Sequence, residues 1–543
     1  MIRRNLAASS ICLLTLLAGS AGSAEEAAPL ATFPVTVAID AAAGRHAISP
    51  LIYGVNFGTA ETMNALNATF NRFGGNTTST YNWLQNAWNL GVDWFFESYP
   101  AGGATPGANA DSFIAATRQA HAQTMITVPM IGRVAKLGAN RKILPSFSIA
   151  KYGAQASHDP YFPDAGDGVR PGGALVAGNN PNDSTILDSS TREQGWLRHL
   201  VAKWGRAAAG GVRYYGTDNE PSLWYDTHRD ISPVGLHAAK FRDLVIDYSA
   251  KIKAIDPGAL ILGPEEWGWM GFLYSGFDHQ TYDRNGTLPD FHGIQGGRSY
   301  VPWLLSEWKR AGRAIDGLSL HYYPQSGEFG DDVSPQIQRL RNRSTREFWD
   351  RNYRSESWID APVYLIPRMR AWVNQFYYPG TKLAITEYNW GAENHINGAT
   401  AQADILGIFG REGLDIAARW GVPPRYSPTF KAMQMYRNYD GHKSAFGDVS
   451  VSTRAPSPDR LSAFAALRSG SGAMTVMVVN KDLGAAATMT MTLAHFRSAG
   501  TAEVYQLTAA NAIKRLANRS YGAGKLSATL PAQSITLFVL PNP

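Results

Sequence analysis

Cysteine is nearly absent. The 543-residue chain has one, Cys12, so everything beyond the first two dozen residues forms no disulfide and offers no Cys-ligated metal site. Charge is also sparse, at 17% of residues, and no run of Lys or Arg forms a patch. That excludes a nucleic-acid footprint. The formal charge of +6 falls to +4 once Arg3 and Arg4 are set aside with the leader, which reads as solubility and not as a guide to a partner. Low charge beside 44% hydrophobic residues marks a folded chain, not a disordered one. No later segment holds ~18 uninterrupted apolar residues, so no membrane span is expected. Internal repeats and low-complexity linkers are missing too. Aromatics are plentiful, with 15 Trp and 24 Tyr, and most are expected in the core.

The first 24 residues carry Arg3 and Arg4, an apolar stretch over 11–17, and Ala21-Gly22-Ser23-Ala24 before Glu25. This pattern predicts a secretory signal peptide cleaved after Ala24. The stretch is too short to span a bilayer, and the residues before Cys12 do not suit a lipoprotein site. The expected product is a secreted or periplasmic, membrane-free monomer.

Two stretches share one grammar. The run Gly211-Val212-Arg213-Tyr214-Tyr215-Gly216-Thr217-Asp218-Asn219-Glu220-Pro221 begins as an aromatic and β-branched strand. Pro221 cannot continue a central strand, so Glu220 falls at its carboxyl end. Lys382-Leu383-Ala384-Ile385-Thr386-Glu387-Tyr388-Asn389-Trp390 places Glu387 in the same way. In a parallel barrel that end carries the catalytic side chains, and a pair of carboxylates is what glycosidic-bond hydrolysis requires. A single Glu-Pro after a strand is usually a solvated turn. The signal is the pair, each member following an apolar strand among aromatics. Glu265 and Glu266 form a rival pair after the strand at 260–264. Adjacent residues point apart, so at most one of them faces a cleft.

Further strands read at 51–55, 70–76, 125–130, 314–320, 383–386 and 413–420, with helices at 111–121, 190–209, 233–254 and 430–439. Eight strand-helix units between 49 and 440 predict a (β/α)8 TIM barrel, with Glu220 and Glu387 on its fourth and seventh strands, facing across one mouth. After 440 the texture changes to short alternating strands at 449–451, 461–467, 473–480, 488–493, 501–506, 525–529 and 534–540. That predicts an accessory all-β sandwich. The alternation over 33–40 predicts a strand that joins it. The expected division is therefore a leader at 1–24, a strand-bearing segment at 25–48, the barrel at 49–440 and the sandwich at 441–543.

Five motifs together resemble glycoside hydrolase family 44: Arg72-Phe73-Gly74-Gly75-Asn76, Asp218-Asn219-Glu220-Pro221-Ser222-Leu223-Trp224, His321-Tyr322-Tyr323-Pro324, Thr386-Glu387-Tyr388-Asn389 and Met435-Tyr436-Arg437-Asn438-Tyr439-Asp440-Gly441. The resemblance covers most of the chain after the leader. Phe73 departs from it, where the family more often carries Trp. The family contains endo-β-1,4-glucanases and xyloglucanases. The resemblance implies a retaining double displacement, with Glu220 as acid/base, Glu387 as nucleophile and no cofactor for catalysis. The expected substrates are soluble cellulose derivatives, mixed-linkage glucan and xyloglucan. A hydrolase of xylan, mannan or an arabinose-containing polymer, or a non-catalytic glycan-binding barrel, stands as the alternative.

Substrate contacts follow from position. Asn219, beside the acid, is expected at the sugar 2-hydroxyl, and Tyr323 on the nucleophile carboxylate. Arg72 and Asn76 either touch sugar or form a network beneath it. Aromatic faces stack on pyranose rings, which nominates Trp224, Trp390, Trp267 and one of Trp83, Trp88 and Trp94, taken as Trp94. A long irregular stretch over 132–190 holds Asp164 and Asp167 on a Gly-rich loop. Such spacing suits an ordinary turn or a hard cation, and the family implies a metal here, so a structural Ca²⁺ held by Glu97, Asp164 and Asp167 is expected.

Overall fold

Eight short parallel strands close a barrel in chain order: Gly54–Asn56, Phe70–Phe73, Gln123–Val128, Tyr214–Thr217, Leu260–Glu266, Gly317–Tyr322, Lys382–Tyr388 and Ile416–Arg419. The ring is sealed where Ala418 pairs with Gly54 and Val55 with Asn71. Most of these strands are buried on both faces, which is why they read as continuous apolar runs. The computed structural model describes residues 31–542, and the leader expected at 1–24 lies outside them. Inside the barrel, Phe70, Met125, Tyr214, Leu262, Ala384, Ile416 and Ala418 form an apolar plug. Beyond the plug, toward the carboxyl ends, the inward residues turn polar: Asn56, Arg72, Glu265 and His321 are all buried.

The second unit is a ten-stranded antiparallel and mixed sheet folded into a sandwich. Thr32–Asp40 lies inside it, parallel to Ala486–Ala494 and antiparallel to Val449–Arg454. Its inward residues Phe33, Val35, Val37 and Ile39 meet Leu461, Val476, Met489, Met491 and Phe538 in one core. Helix Ile396–Arg411 lies between barrel and sandwich and is buried along almost its whole length. A Cβ at Gly407 would lie 2.2 Å from the Phe464 ring, so glycine is required for this close approach. A buried Lys481–Asp404 ion pair at 2.7 Å, shared with Thr345, crosses the same junction.

Several elements differ from the sequence reading. The first barrel strand starts at Gly54, because Ser49 caps a 3-10 turn over Pro50–Ile52. The sixth runs over Gly317–Tyr322 and so includes His321. Lys514–Tyr521 is a strand that alternation did not reveal. It is mostly exposed, with only Tyr521 buried, and exists as the hairpin partner of Gly500–Leu507. The irregular stretch at 132–190 carries short strands of its own, Arg133–Ala135 against Thr185–Leu187 and Leu144–Pro145 against Glu97–Pro100.

Candidate active site

A cavity of about 430 Å³ opens at the carboxyl ends of the barrel strands, and Glu220 and Glu387 both line it. Backbone geometry sets Glu220. Asp218 and Glu220 take left-handed conformations, with φ of 66° and 46°, as does Glu265 across from them, with φ of 61°. Such backbone costs about 1–3 kcal/mol per residue and concentrates where a side chain must leave the strand's alternation. A hydrogen bond of 3.0 Å from the Glu220 amide to the Glu265 carbonyl holds the turn. Glu387, on the seventh strand, is held at both oxygens. Arg72 donates to Oε1 at 2.7 Å, and the Tyr323 hydroxyl donates to Oε2 at 2.7 Å.

His321 ties the two carboxylates together. Its Nδ1 lies 2.8 Å from Glu220 Oε1 and 3.6 Å from Glu387 Oε2, and its Nε2 lies 3.3 Å from Glu265 Oε2. One oxygen of Glu220 and one of Glu387 sit within 4.8 Å of each other. Retaining glycosidases place their carboxyls about 5–5.5 Å apart, inverting ones about 6.5–9.5 Å.

Arg72 is fully buried and is the hub beneath this pair. Its guanidinium reaches Glu387, Glu265 at 3.0 Å, Asn56 at 3.1 Å and Asn219 at 2.8 Å. A Cβ on Gly74 would lie 2.2 Å from the Arg72 guanidinium carbon, so Gly74 leaves room for the guanidinium, while one on Gly75 would lie 2.4 Å from the Trp420 ring. Thr386 also donates to Glu265 Oε2 at 2.8 Å. Burial raises the Glu265 pKa, but the Arg72 charge and the His321 contact outweigh it and hold the group below its ordinary value. For His321, burial alone lowers the pKa. The Glu387 charge and the bonds to Glu220 and Glu265 overcome that and raise it to about 9. Glu220 is pushed up by burial, partly opposed by His321 and reinforced by the Glu387 charge. The site thus gathers two basic groups, Arg72 and His321, among three carboxyls, Glu220, Glu265 and Glu387. A metal cation in the Glu220, His321 and Glu387 cluster would meet the Arg72 charge at contact distance, which argues against one there.

The other nominated residues divide. Asn219 gives its Oδ1 to Arg72 and to the Gly75 amide at 3.0 Å, and its Nδ2 donates to Asn76 Oδ1 at 3.2 Å. Asn76 in turn donates to Asp93 at 3.2 Å. Asn219 and Asn76 line the cleft, as do Tyr323 and Trp267. Trp224 and Trp390 do not. Both are fully buried. Trp224 donates its indole N–H to the Asn219 carbonyl at 3.1 Å, and Trp390 donates to Ser344 at 2.9 Å while packing on Phe348. They support the glutamate-bearing loops from behind. Trp94 is 40% exposed and next to the cleft residue Asp93, but it does not itself line the cleft. The rival carboxylates are both closed off. Glu265 lies under His321, and Glu266 accepts from Ser222 at 2.5 Å and is pushed up to about 8 by burial.

Sequence reasoning passed over His321, Asp93, Phe329 and Trp420. A lone histidine at a strand end carried a signal only through its position. Trp420 follows the eighth strand and lines the cleft with Phe329.

The three nominated metal ligands do not converge. Asp164 accepts from the Ser148 hydroxyl at 2.8 Å and the Ala150 amide at 2.8 Å. Asp167 accepts from the Val169 amide at 3.0 Å. Both are consumed by local turns. Glu97 instead faces Asp159, and burial together with that carboxyl pushes it up to about 8. Its Oε1 is buried without a partner.

The family model for glycoside hydrolase family 44 matches residues 87–326. CelM2, a bifunctional glucanase-xylanase protein from a metagenome library, is 55% identical over 94% of this chain and 99% of that one, with a TM-score of 0.93. A Paenibacillus polymyxa xyloglucanase from the same family is 28% identical over 94% of this chain and 100% of that one, with a TM-score of 0.78. Endoglucanase A of Paenibacillus lautus is 31% identical over 476 residues, 82% of this chain, which spans only 64% of that protein.

Proposed function

The chain belongs to glycoside hydrolase family 44, and from that premise we propose that it is an exported, retaining endo-β-1,4-glucanase acting on soluble cellulose derivatives, mixed-linkage glucan and xyloglucan. The observation that carries the reading is the Glu220–Glu387 pair, with oxygens within 4.8 Å in one cleft. Glu387 attacks the anomeric carbon as Glu220 gives its proton to the departing oxygen, so the glycosidic bond breaks and a glycosyl ester forms. Water then attacks the same carbon, Glu220 takes its proton, and the ester bond to Glu387 breaks. The Arg72 and Tyr323 donors, one on each oxygen, aim Glu387. The raised pKa of Glu220 keeps it protonated for the first step. Asn219, through its Nδ2, is the group offered to the sugar 2-hydroxyl. Trp267, Trp420 and Phe329 supply apolar walls.

The purified chain should release reducing ends from carboxymethyl-cellulose and xyloglucan, and proton NMR should show the β-anomer first. An α-anomer formed first would overturn retention. Xylan belongs in the same panel, because a protein 55% identical to this chain is described as a glucanase-xylanase. Export rests on the leader pattern at 1–24, and no helix among the described residues is long and apolar enough to cross a membrane. The catalytic unit is taken as 49–440, with 25–48 and 441–543 as its supporting sandwich.

A structural Ca²⁺ fits at Glu97 and Asp159. The buried, unpartnered Glu97 Oε1 facing the Asp159 carboxyl would supply two of the oxygens a hard cation takes; without one, Glu97 is pushed up to about 8 by burial and by Asp159, while Asp159 itself stays below its ordinary value. The ion would neutralise this pair and tie the insertion to the strand Glu97–Pro100. Chelation should therefore lower the melting temperature by several degrees, restored by added calcium, and Glu97→Gln should lose that response. An unchanged melting curve with chelator would remove the ion.

A further inference from the structure

A second cavity, about 590 Å³ and larger than the cleft, opens between the loop at 175–181, the turn after the fourth strand and helix Gly276–Asn285. Its sides mix apolar faces, from Leu175, Tyr225 and Pro233, with charged groups of both signs, Arg229, Asp283 and Arg284. Nothing in the double displacement uses them.

Two side chains in this wall each keep one polar atom without a partner. Asp230 is 1% exposed. Its Oδ2 accepts from Ser146 at 2.6 Å, while its Oδ1 is buried with no hydrogen bond. Arg229 beside it donates through Nη2 to the Asp167 carbonyl and stands over Phe96, 4.2 Å from the ring centre, while its Nε has no partner. Neighbouring residues thus leave one acceptor and one donor unpartnered just behind the cavity wall, where a buried polar atom without a partner is costly. A simple anion would face Asp226, Asp230 and Asp283. A simple cation would face two guanidiniums. A neutral polyol suits both, because each hydroxyl donates and accepts, and a pyranose adds an apolar face for Tyr225 and Pro233.

The cavity is also joined to the cleft. Trp267 lines the cleft, its ring lies 5.7 Å from His279, and His279 Nδ1 is 2.6 Å from the hydroxyl of Tyr225, which lines the second cavity. One layer of three side chains separates the two spaces.

We propose that this cavity is a second glycan site, holding a neutral pyranosyl residue of the same polysaccharide away from the bond that is cut. The inference rests on the β-glucanase reading for its ligand but on its own residues for its place. The sugar comes either from the main chain or from a branch. Leu175→Ser and the double variant Asp283→Ala/Arg284→Ala alter opposite, exposed walls, and neither touches the catalytic cleft. Retardation in gels containing hydroxyethyl-cellulose or xyloglucan should weaken about three- to tenfold in both variants, the worth of one or two net hydrogen bonds. Their kcat/KM on cellotetraose should stay within about twofold of the parent. Loss with both polymers assigns the site to a main-chain glucosyl, and loss with xyloglucan alone to a branch sugar. Unchanged retardation of both folded variants, or a parent that neither polymer retards, would overturn the site. So would an equal loss on cellotetraose, since the walls would then act only through Trp267. A parent that is retarded but cuts nothing would sink the β-glucanase reading and leave the site standing.

Discussion

Glu387→Gln should lose hydrolysis of every β-glucan substrate by about 10⁴-fold or more, with the fold intact. The amide keeps the shape, and its oxygen can still accept from Arg72, while its NH₂ meets the Tyr323 hydroxyl in place of the carboxylate oxygen. What disappears is the ionised oxygen that bonds to the anomeric carbon. The charge balance of the site predicts a second effect. Without Glu387, Arg72 and His321 are left with Glu265 and Glu220, and the Glu387 contribution that raises Glu220 is gone, so the Glu220 pKa should fall. A titration of that carboxyl by carbon-13 NMR reads this directly. Glu387→Gly with azide and an activated aryl β-cellobioside should return activity and yield the α-glycosyl azide, because azide then attacks in one displacement. Glu220→Gly with the same reagents should yield the β-azide, since the ester still forms on Glu387. A β-azide from the Glu387 variant would mean the two roles are exchanged.

The parts of this site that lie close in sequence to punctuation were legible. Pro221 ends the fourth strand, so Glu220 could be placed at the barrel mouth before any coordinates. Eight apolar runs separated by helices define the barrel, and clean alternation over Thr32–Asp40 and Ala486–Ala494 marks the sandwich. Direction was less legible. Trp224 and Trp390 follow the glutamates closely, yet turns after each strand rotate them into the core. His321 gains its meaning only from the convergence of the fourth, fifth, sixth and seventh strands, which contribute Glu220, Glu265, His321 itself and Glu387. No local pattern carries that. Asp164 and Asp167 failed for the opposite reason: local backbone amides took up the carboxylates that spacing suggested were free. Glu97 found Asp159 instead. Lys514–Tyr521 has polar residues on both faces, so its strand character comes wholly from its hairpin partner.

Arg72→Met should cost about 3–5 kcal/mol of stability, the range for breaking a buried ion pair from one side, and should reduce turnover severely. The guanidinium is fully buried between two carboxylates, Glu387 at 2.7 Å and Glu265 at 3.0 Å. Methionine fills similar space but leaves those charges without their shared cation. The dependence on pH separates this from lost packing. In the intact protein Glu265 titrates below its ordinary value of 4.5. Its contribution is therefore present above about that value and is lost as pH falls through the lowered one. In Arg72→Met, burial is opposed only by His321 and the remaining hydrogen bonds, so Glu265 titrates higher and its ionised form disfavours the fold. The stability gap between the two proteins should be widest near neutral pH and shrink toward pH 4, as protonation relieves the variant. Denaturant unfolding at the two pH values measures the gap. A double-mutant cycle supplies the second test. Adding Glu265→Gln to Arg72→Met removes an unpaired buried charge, so the double variant should be more stable than Arg72→Met alone, although Glu265→Gln by itself destabilises the parent. Additive losses, or a gap that does not change with pH, would mean that Arg72 holds the barrel mouth by shape and not by charge. His321 and Tyr323 would then have to hold the Glu387 carboxylate in place without its charge.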